Sequence, residues 1–184
     1  SKEEKKSKLE YLQGFLNSKL SSYILDCLNP TVNTTVGDLK RVAYNYYKNS
    51  TDDIVSNLTK INIGITDYLN SYCFIEMNFT TSPLYFSSAN DLKQRVLDYL
   101  SYENHLLSQV LINEAIINDE IFKVYELSDS DITMVLEKEG VSIGSLDVES
   151  EAKKAYLECE VKEFPLDNIK EYIQNLPTTT FEES

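Results

Sequence analysis

From Ala89 to Tyr125 no Pro or Gly interrupts the chain, and Leu92, Val96, Tyr99, Leu100, Leu107, Val110, Leu111, Ile117, Ile121 and Phe122 recur at helical spacing. Steps of three and four residues set such side chains along one stripe of a helix. The run therefore predicts a single helix, with Glu103-Asn104 as the place for any kink. Helices of this length exceed the usual globular range and serve as spacers or pair in coiled-coil fashion. A chain organised around such an element is mainly α, a helical bundle with one long spacer-like helix.

The flanking segments fill in that picture. Between Glu3 and Leu28 the positions Leu9, Leu12, Phe15, Leu16, Leu20, Tyr23, Ile24 and Cys27 share one helical face, and Asn29-Pro30 stops the helix because a residue before Pro avoids the helical region. Gly14 inside it costs about 1 kcal/mol relative to Ala, which predicts that another backbone lies close there. Thr31 to Tyr47 mixes β-branched residues, Gly37 and aromatics without period, and reads as a small extended or β segment with a turn. Ser50-Thr51-Asp52-Asp53 resembles a capping box opening a helix through Ile54, Val55, Leu58 and Ile61. "YCFIEMNF", Tyr72 to Phe79, is expected to be irregular, with Ser88 capping the long helix. Ser128 and Asp131 cap a short helix ending at Gly140, and two helices follow at about Val148–Val161 and Leu166–Leu176, the last closed by Pro177. The tail "TTTFEES" is expected to fray. Three consecutive segments result, 1–48, 49–88 and 89–184, within one compact fragment.

At 184 residues, 42% hydrophobic and 26% charged, the chain has an ordinary globular composition. No apolar run is long enough to cross a bilayer, and "SKEEKKSKLE" at the start lacks the apolar core of a signal peptide. A cytoplasmic protein without a membrane partner is the expectation, and a first residue other than Met suggests a piece of something larger. Cys27, Cys73 and Cys159 are widely spaced and His105 is the one histidine, a pattern that supports neither a disulfide framework nor a zinc site. Buried thiols are expected.

Charge is divided unevenly. Residues 1–48 carry 8 Lys and Arg against 5 Asp and Glu, a net +3, which leaves 9 against 25, a net −16, for the rest. Phosphate is bound where cations dominate, so any nucleic-acid contact belongs to the first quarter of the chain.

Catalytic patterns are incomplete. The 5 glycines never form the G-x-G of a cofactor turn, and Asn29-Pro30-Thr31-Val32 lacks the second Pro and the aromatic ring with which an adenine methyltransferase holds a flipped base. No catalytic residue, metal ligand or cofactor-binding residue is assigned. Asp147 with Glu160-Val161-Lys162 loosely matches a metal-dependent nuclease string, but the string is short and sits in a helical pattern where Asp147 is a natural N-cap, the reading preferred. "LSDSDITMV" lacks the Gly and distal Glu of a calcium loop, and His105 has no nucleophile at a telling spacing. Tyr44, Tyr46 and Tyr47 are the tyrosines beside basic residues, and packing accounts for most of the others. Asn33, Thr34 and Thr35 form a polar turn whose short side chains suit a groove, while Lys40, Arg41 and Lys48 suit phosphates. A plain connection with solvated charges is the competing reading.

"LQGFLNSKLSSYILDCLNPTVNTTVGDLKRVAY", from Leu12 to Tyr44, resembles the segment L-x-G-F-L-N-S-K…L-N-P-T…V-G-D-[IL]-x-R that follows the catalytic domain in adenine-specific DNA methyltransferases of the BREX phage-defence and fused restriction–modification type. "VSNLTKINIGITDYLNSYCFIEMNF" and "NDEIFKVYELSDSDITMVLEKEGVSIG" are similar to later blocks of that family. Tyr68-Leu69-Asn70 stands where Trp-Asp-Ser is usual, and Cys73-Phe74 where Glu-Thr is usual. The resemblance implies a C-terminal DNA-recognition and spacer module that positions double-stranded DNA for a methylase domain not in this chain. S-adenosylmethionine would be bound by the parent enzyme and no cofactor by these residues. Gly37–Lys40 is also similar to the end of a target-recognition domain in type I specificity subunits. On this resemblance Asn33, Thr34, Thr35, Lys40 and Arg41 are the DNA-proximal candidates. The alternatives are a helical protein–protein scaffold within a defence complex and an acidic DNA mimic.

Overall fold

The computed structural model describes residues 2–31, 33–46, 50–159 and 161–180, and of 50–53 only the helical backbone. The chain is mainly helical: α1 (Lys2–Leu16), α2 (Lys19–Leu28), α3 (Val36–Leu39), α4 (Ser50–Asn70), α5 (Leu92–Val124), α6 (Asp129–Glu139), α7 (Ser150–Glu158) and α8 (Lys170–Asn175). Among the described residues the only strands are β1 (Val148–Glu149) and β2 (Thr178–Thr179), paired in parallel with Val148 opposite Thr178.

Two compact units divide the molecule, one of residues 1–60 with 113–146, the other of 61–112 with 147–184. Of the three boundaries between them, one falls within α4, one within α5 and one after Leu146.

In the first unit the N-terminal apolar stripe is carried by two helices rather than the one expected. The break is at Ser18, which is extended (φ −75°, ψ 155°), accepts the Ser21 N–H at 3.2 Å and donates to the Phe15 carbonyl at 2.7 Å. One hydroxyl thus ends α1 and caps α2. Asn118 on α5 extends the junction, accepting the Lys19 N–H at 2.8 Å and donating to Ser142 Oγ at 3.2 Å. Helix α2 is tied to α6 by Lys19 Nζ on the Glu139 carbonyl at 3.0 Å and by the Lys138–Asp26 ion pair at 3.2 Å. Tyr11, Phe15, Leu20, Val55, Leu58, Ala115, Ile121 and Val135 form the buried apolar interior. The close approach expected at Gly14 is present, but α4 meets it with side chains: a methyl group there would collide with Thr59 Oγ1 and stand 3.0 Å from Val55 Cγ1. The α6 cap is the expected box, with Ser128 and Asp131 bonding reciprocally, and Gly140 leaves the helix at φ 75°.

The second unit is centred on Ile65, Leu106 and Val161, with Tyr68, Tyr102, Val110 and Phe164 against them. Gly64 is fitted to Phe164, whose ring edge would be 3.1 Å from an added methyl. His105 is in the interior, stacked on Tyr156 with ring centres 4.2 Å apart. Lys153 Nζ donates to the Gln174 and Leu176 carbonyls at 2.6 and 2.8 Å and so caps the C-terminus of α8.

Where an extended or β segment with a turn is expected, residues 33–46 take the extended form, with turns around the single helical turn α3 and no strand. Several other local expectations are corrected. Asp91, accepting the Gln94 N–H at 3.0 Å, caps α5 in place of Ser88. The helix expected from Val148 starts at Ser150 with Glu149 at its N-cap, so Asp147 is not the cap. Cys27 and Cys159 are exposed and Cys73 is half-buried, against the expectation of buried thiols. The box expected at Ser50 and the final residues 181–184 lie outside what is described.

Candidate nucleic-acid interface

The polar turn after Pro30 is ordered by a network centred on Asn29 and Asp38. Asn29 Oδ1 accepts from the Thr31 hydroxyl at 2.6 Å, and its Nδ2 donates to the Asn33 carbonyl at 3.1 Å and to Asp38 Oδ2 at 2.9 Å. Asp38 Oδ2 also accepts the Thr35 N–H at 2.9 Å and the Thr35 hydroxyl at 2.8 Å, while the Asp38 N–H returns to Thr35 Oγ1 at 3.3 Å. Thr35 and Asp38 form a capping box on α3. The backbone hydrogen bond from Thr35, followed by those from Asn29 and the Thr35 hydroxyl, holds the Asp38 carboxyl below its ordinary range.

All five DNA-proximal candidates are exposed. Asn33 and Thr34 present their side chains outward from the turn, whereas the Thr35 hydroxyl is committed to the cap and is not free to read a base edge. Lys40 is the C-cap of α3, and Arg41 follows it with Nη1 3.9 Å from Asp38 Oδ1, an exposed pairing of small energetic weight. No carboxylate among the described residues pairs with Lys40. Lys48 and Tyr47 lie outside the described residues.

Past Arg41 the chain is anchored. Val42 is buried, the Tyr125 hydroxyl donates to the Ala43 carbonyl and accepts the Asn45 N–H at 3.0 Å, and Tyr11 donates to the Asn45 carbonyl at 3.0 Å. Tyr125 stacks on Phe15 with ring centres 5.5 Å apart and planes 9° from parallel. Burial pushes the Tyr125 phenol up, so it remains protonated and able to donate.

Beside this anchor lies a feature the sequence reading did not assemble. Lys5, Lys8, Leu9 and Leu12 of α1 line an open groove of about 660 Å³ with Tyr44 and Tyr46. Lys8 Nζ sits 5.3 Å from the centre of the Tyr46 ring. Lysines at positions 5 and 8 share a helical face, and Tyr44 and Tyr46 lie beside basic residues in the sequence. What joins them is the contact of Tyr11 with both rings, at 5.9 and 5.3 Å.

Among the described residues no three His, Cys, Asp or Glu gather closely enough to hold a metal, and Glu160 of the nuclease-like string is outside them. No described helix is long and apolar enough to cross a membrane. No protein-family model, curated protein or solved structure matches the chain.

Proposed function

We propose that this chain is a duplex-positioning module serving an adenine-specific DNA methyltransferase, with methyl transfer and S-adenosylmethionine binding carried by residues outside it. The observation that supports this most is the ordered, exposed turn itself. A backbone fixed by Asn29, Thr35 and Asp38 on one side and by Tyr125 on the other presents Lys40 and Arg41 together with the short side chains of Asn33 and Thr34. Cations on a fixed backbone set the register of a duplex through its phosphates, and short polar side chains can then approach base edges. The link to adenine methylation rests on the sequence resemblance.

A second reading is a protein scaffold that never touches DNA. Phe74, Ile75 and Met77, large apolar side chains left exposed to water, favour it. Fluorescence anisotropy of a labelled duplex at low salt separates the two. Duplex positioning predicts binding that is lost with Lys40→Glu plus Arg41→Glu and kept with the control Lys93→Glu. Equal binding by all three proteins, or none by the wild type, removes the duplex reading.

A further inference from the structure

The loop between α4 and α5 holds a contiguous apolar tip in water. Phe74 and Ile75 are 83% and 85% exposed, and Met77 is wholly so. Scattered exposed apolar residues are ordinary, whereas several large ones side by side mark a surface that another molecule covers. The loop is also built rather than slack. Its base is closed by the Ser71 carbonyl, which accepts the Thr80 N–H at 2.8 Å and the Thr80 hydroxyl at 3.2 Å, and by Asn78 Nδ2 on the Asp67 carbonyl at 2.9 Å. Inside, the Glu76 N–H meets the Cys73 carbonyl at 3.0 Å, the Phe79 N–H meets the Glu76 carbonyl at 3.2 Å, and the Phe74 and Phe79 rings stand edge to face. A tip ordered in advance binds with less entropy still to lose.

Charge states what should cover it. Between Ile61 and Leu92 there is no Lys or Arg, while Asp67, Glu76 and Asp91 are present, with Glu76 inside the tip. The complement is an apolar surface with a cationic rim. That description fits the groove of α1, whose floor is Leu9, Leu12 and Tyr44 and whose rim is Lys5 and Lys8. Leu9 is 66% exposed there; Lys8 is already paired with Glu4 at 3.7 Å, whereas no carboxylate among the described residues pairs with Lys5, which is the cation left for an incoming carboxylate.

We infer that the Phe74–Met77 tip of one copy seats in the lysine-rimmed groove of a second copy, with Glu76 directed at Lys5. The contact is heterologous, so each seated pair leaves one tip and one groove unfilled and assembly continues into a ring or an open chain. Lys40 and Arg41 take no part, so this inference stands or falls separately from duplex binding.

Sedimentation velocity on the full chain across the micromolar range tests it. Wild type is expected to grow in mass with concentration. Ile75→Asp and Leu9→Asp, both at exposed positions and both checked for unchanged helicity by circular dichroism, are each expected to weaken association by about tenfold or more. Mixed together, the two variants have one intact tip and one intact groove between them, and a dimer that grows no further is expected. Three results overturn the inference: a wild type monomeric throughout, Leu9→Asp associating as well as wild type (tip against tip), or a mixture that stays monomeric. Co-sedimentation of a monomeric wild type with phosphatidylcholine vesicles, abolished by Ile75→Asp, would overturn it in favour of a lipid surface.

Discussion

Tyr125 holds Asn45 in place: its phenolic oxygen accepts the Asn45 backbone N–H at 3.0 Å while its proton goes to the carbonyl of Ala43. The ring is kept by Phe15 whether or not the hydroxyl is present. Tyr125→Phe should therefore keep the fold and lose about 1 kcal/mol, the consequence of leaving the half-buried Asn45 N–H without its partner while the exposed Ala43 carbonyl turns to water. Urea denaturation reads the energy. Amide exchange should quicken at Asn45.

Gly14 faces Thr59 with no room for a methyl group. Alanine there gains helix propensity of about 1 kcal/mol, but forcing α1 off α4 costs more, so Gly14→Ala should destabilise by about 1–2 kcal/mol net. Thr59 Oγ1 is buried without a partner among the described residues, so its removal costs little polar bonding. Gly14→Ala combined with Thr59→Ala should be no less stable than Thr59→Ala alone. Thermal midpoints of the four proteins check both statements.

At the turn, Asp38 does two opposed things: it orders the backbone and it places a negative charge beside Arg41. Asp38→Asn keeps much of the hydrogen-bonding shape and removes the charge, so duplex affinity should rise. Asp38→Ala removes the charge together with the bonds that hold Asn29 and Thr35, leaving only the Thr35 half of the capping box, and its affinity should fall below that of Asp38→Asn. Anisotropy titrations at one salt concentration compare them. Equal affinities would mean that the order of the turn is irrelevant to binding.

His105 supplies a pH dependence. Burial lowers its pKa from the ordinary 6.5, and its Nε2 has no acceptor among the described residues. The unfolded chain binds the proton more readily than the folded one, so the folded state loses stability as pH falls from about 6.5 toward the depressed value and is unaffected above it. The carboxyls of Glu114 and Asp119, raised by partial desolvation, act in the opposite sense. His105→Gln should flatten the fall in thermal midpoint between neutral and mildly acid pH.

What the sequence made legible follows from what is local. Helix α5 was visible because its stripe and its freedom from Pro and Gly are properties of one segment, and the α6 cap because Ser128 and Asp131 are three residues apart. Ser18 was not visible as a break, since the apolar spacing runs straight through it and only the geometry reveals its hydroxyl bonding both ways. In the segment after Pro30 the chain is extended rather than paired as a strand, because β-branched residues favour strands only where a partner strand exists, and a Thr-x-x-Asp box forms the one helical turn there. Of the candidate site, the exposure of Asn33, Thr34, Lys40 and Arg41 agrees with their polarity, while the capping role of Thr35 depended on where Asp38 turned. The groove of Lys5, Lys8, Tyr44 and Tyr46 joins residues more than thirty positions apart through Tyr11, and no local pattern encodes that.

The salt dependence of duplex affinity bears most directly on the central claim that Lys40 and Arg41 meet phosphate. The logarithm of the affinity of the wild-type chain should fall linearly with the logarithm of salt concentration, and the neutral pair Lys40→Gln plus Arg41→Gln, which weakens binding without reversing charge, should reduce that slope by about 2, one counterion for each lost phosphate contact. An unchanged slope after the double substitution, or a wild type with no duplex affinity even at low salt, would contradict it.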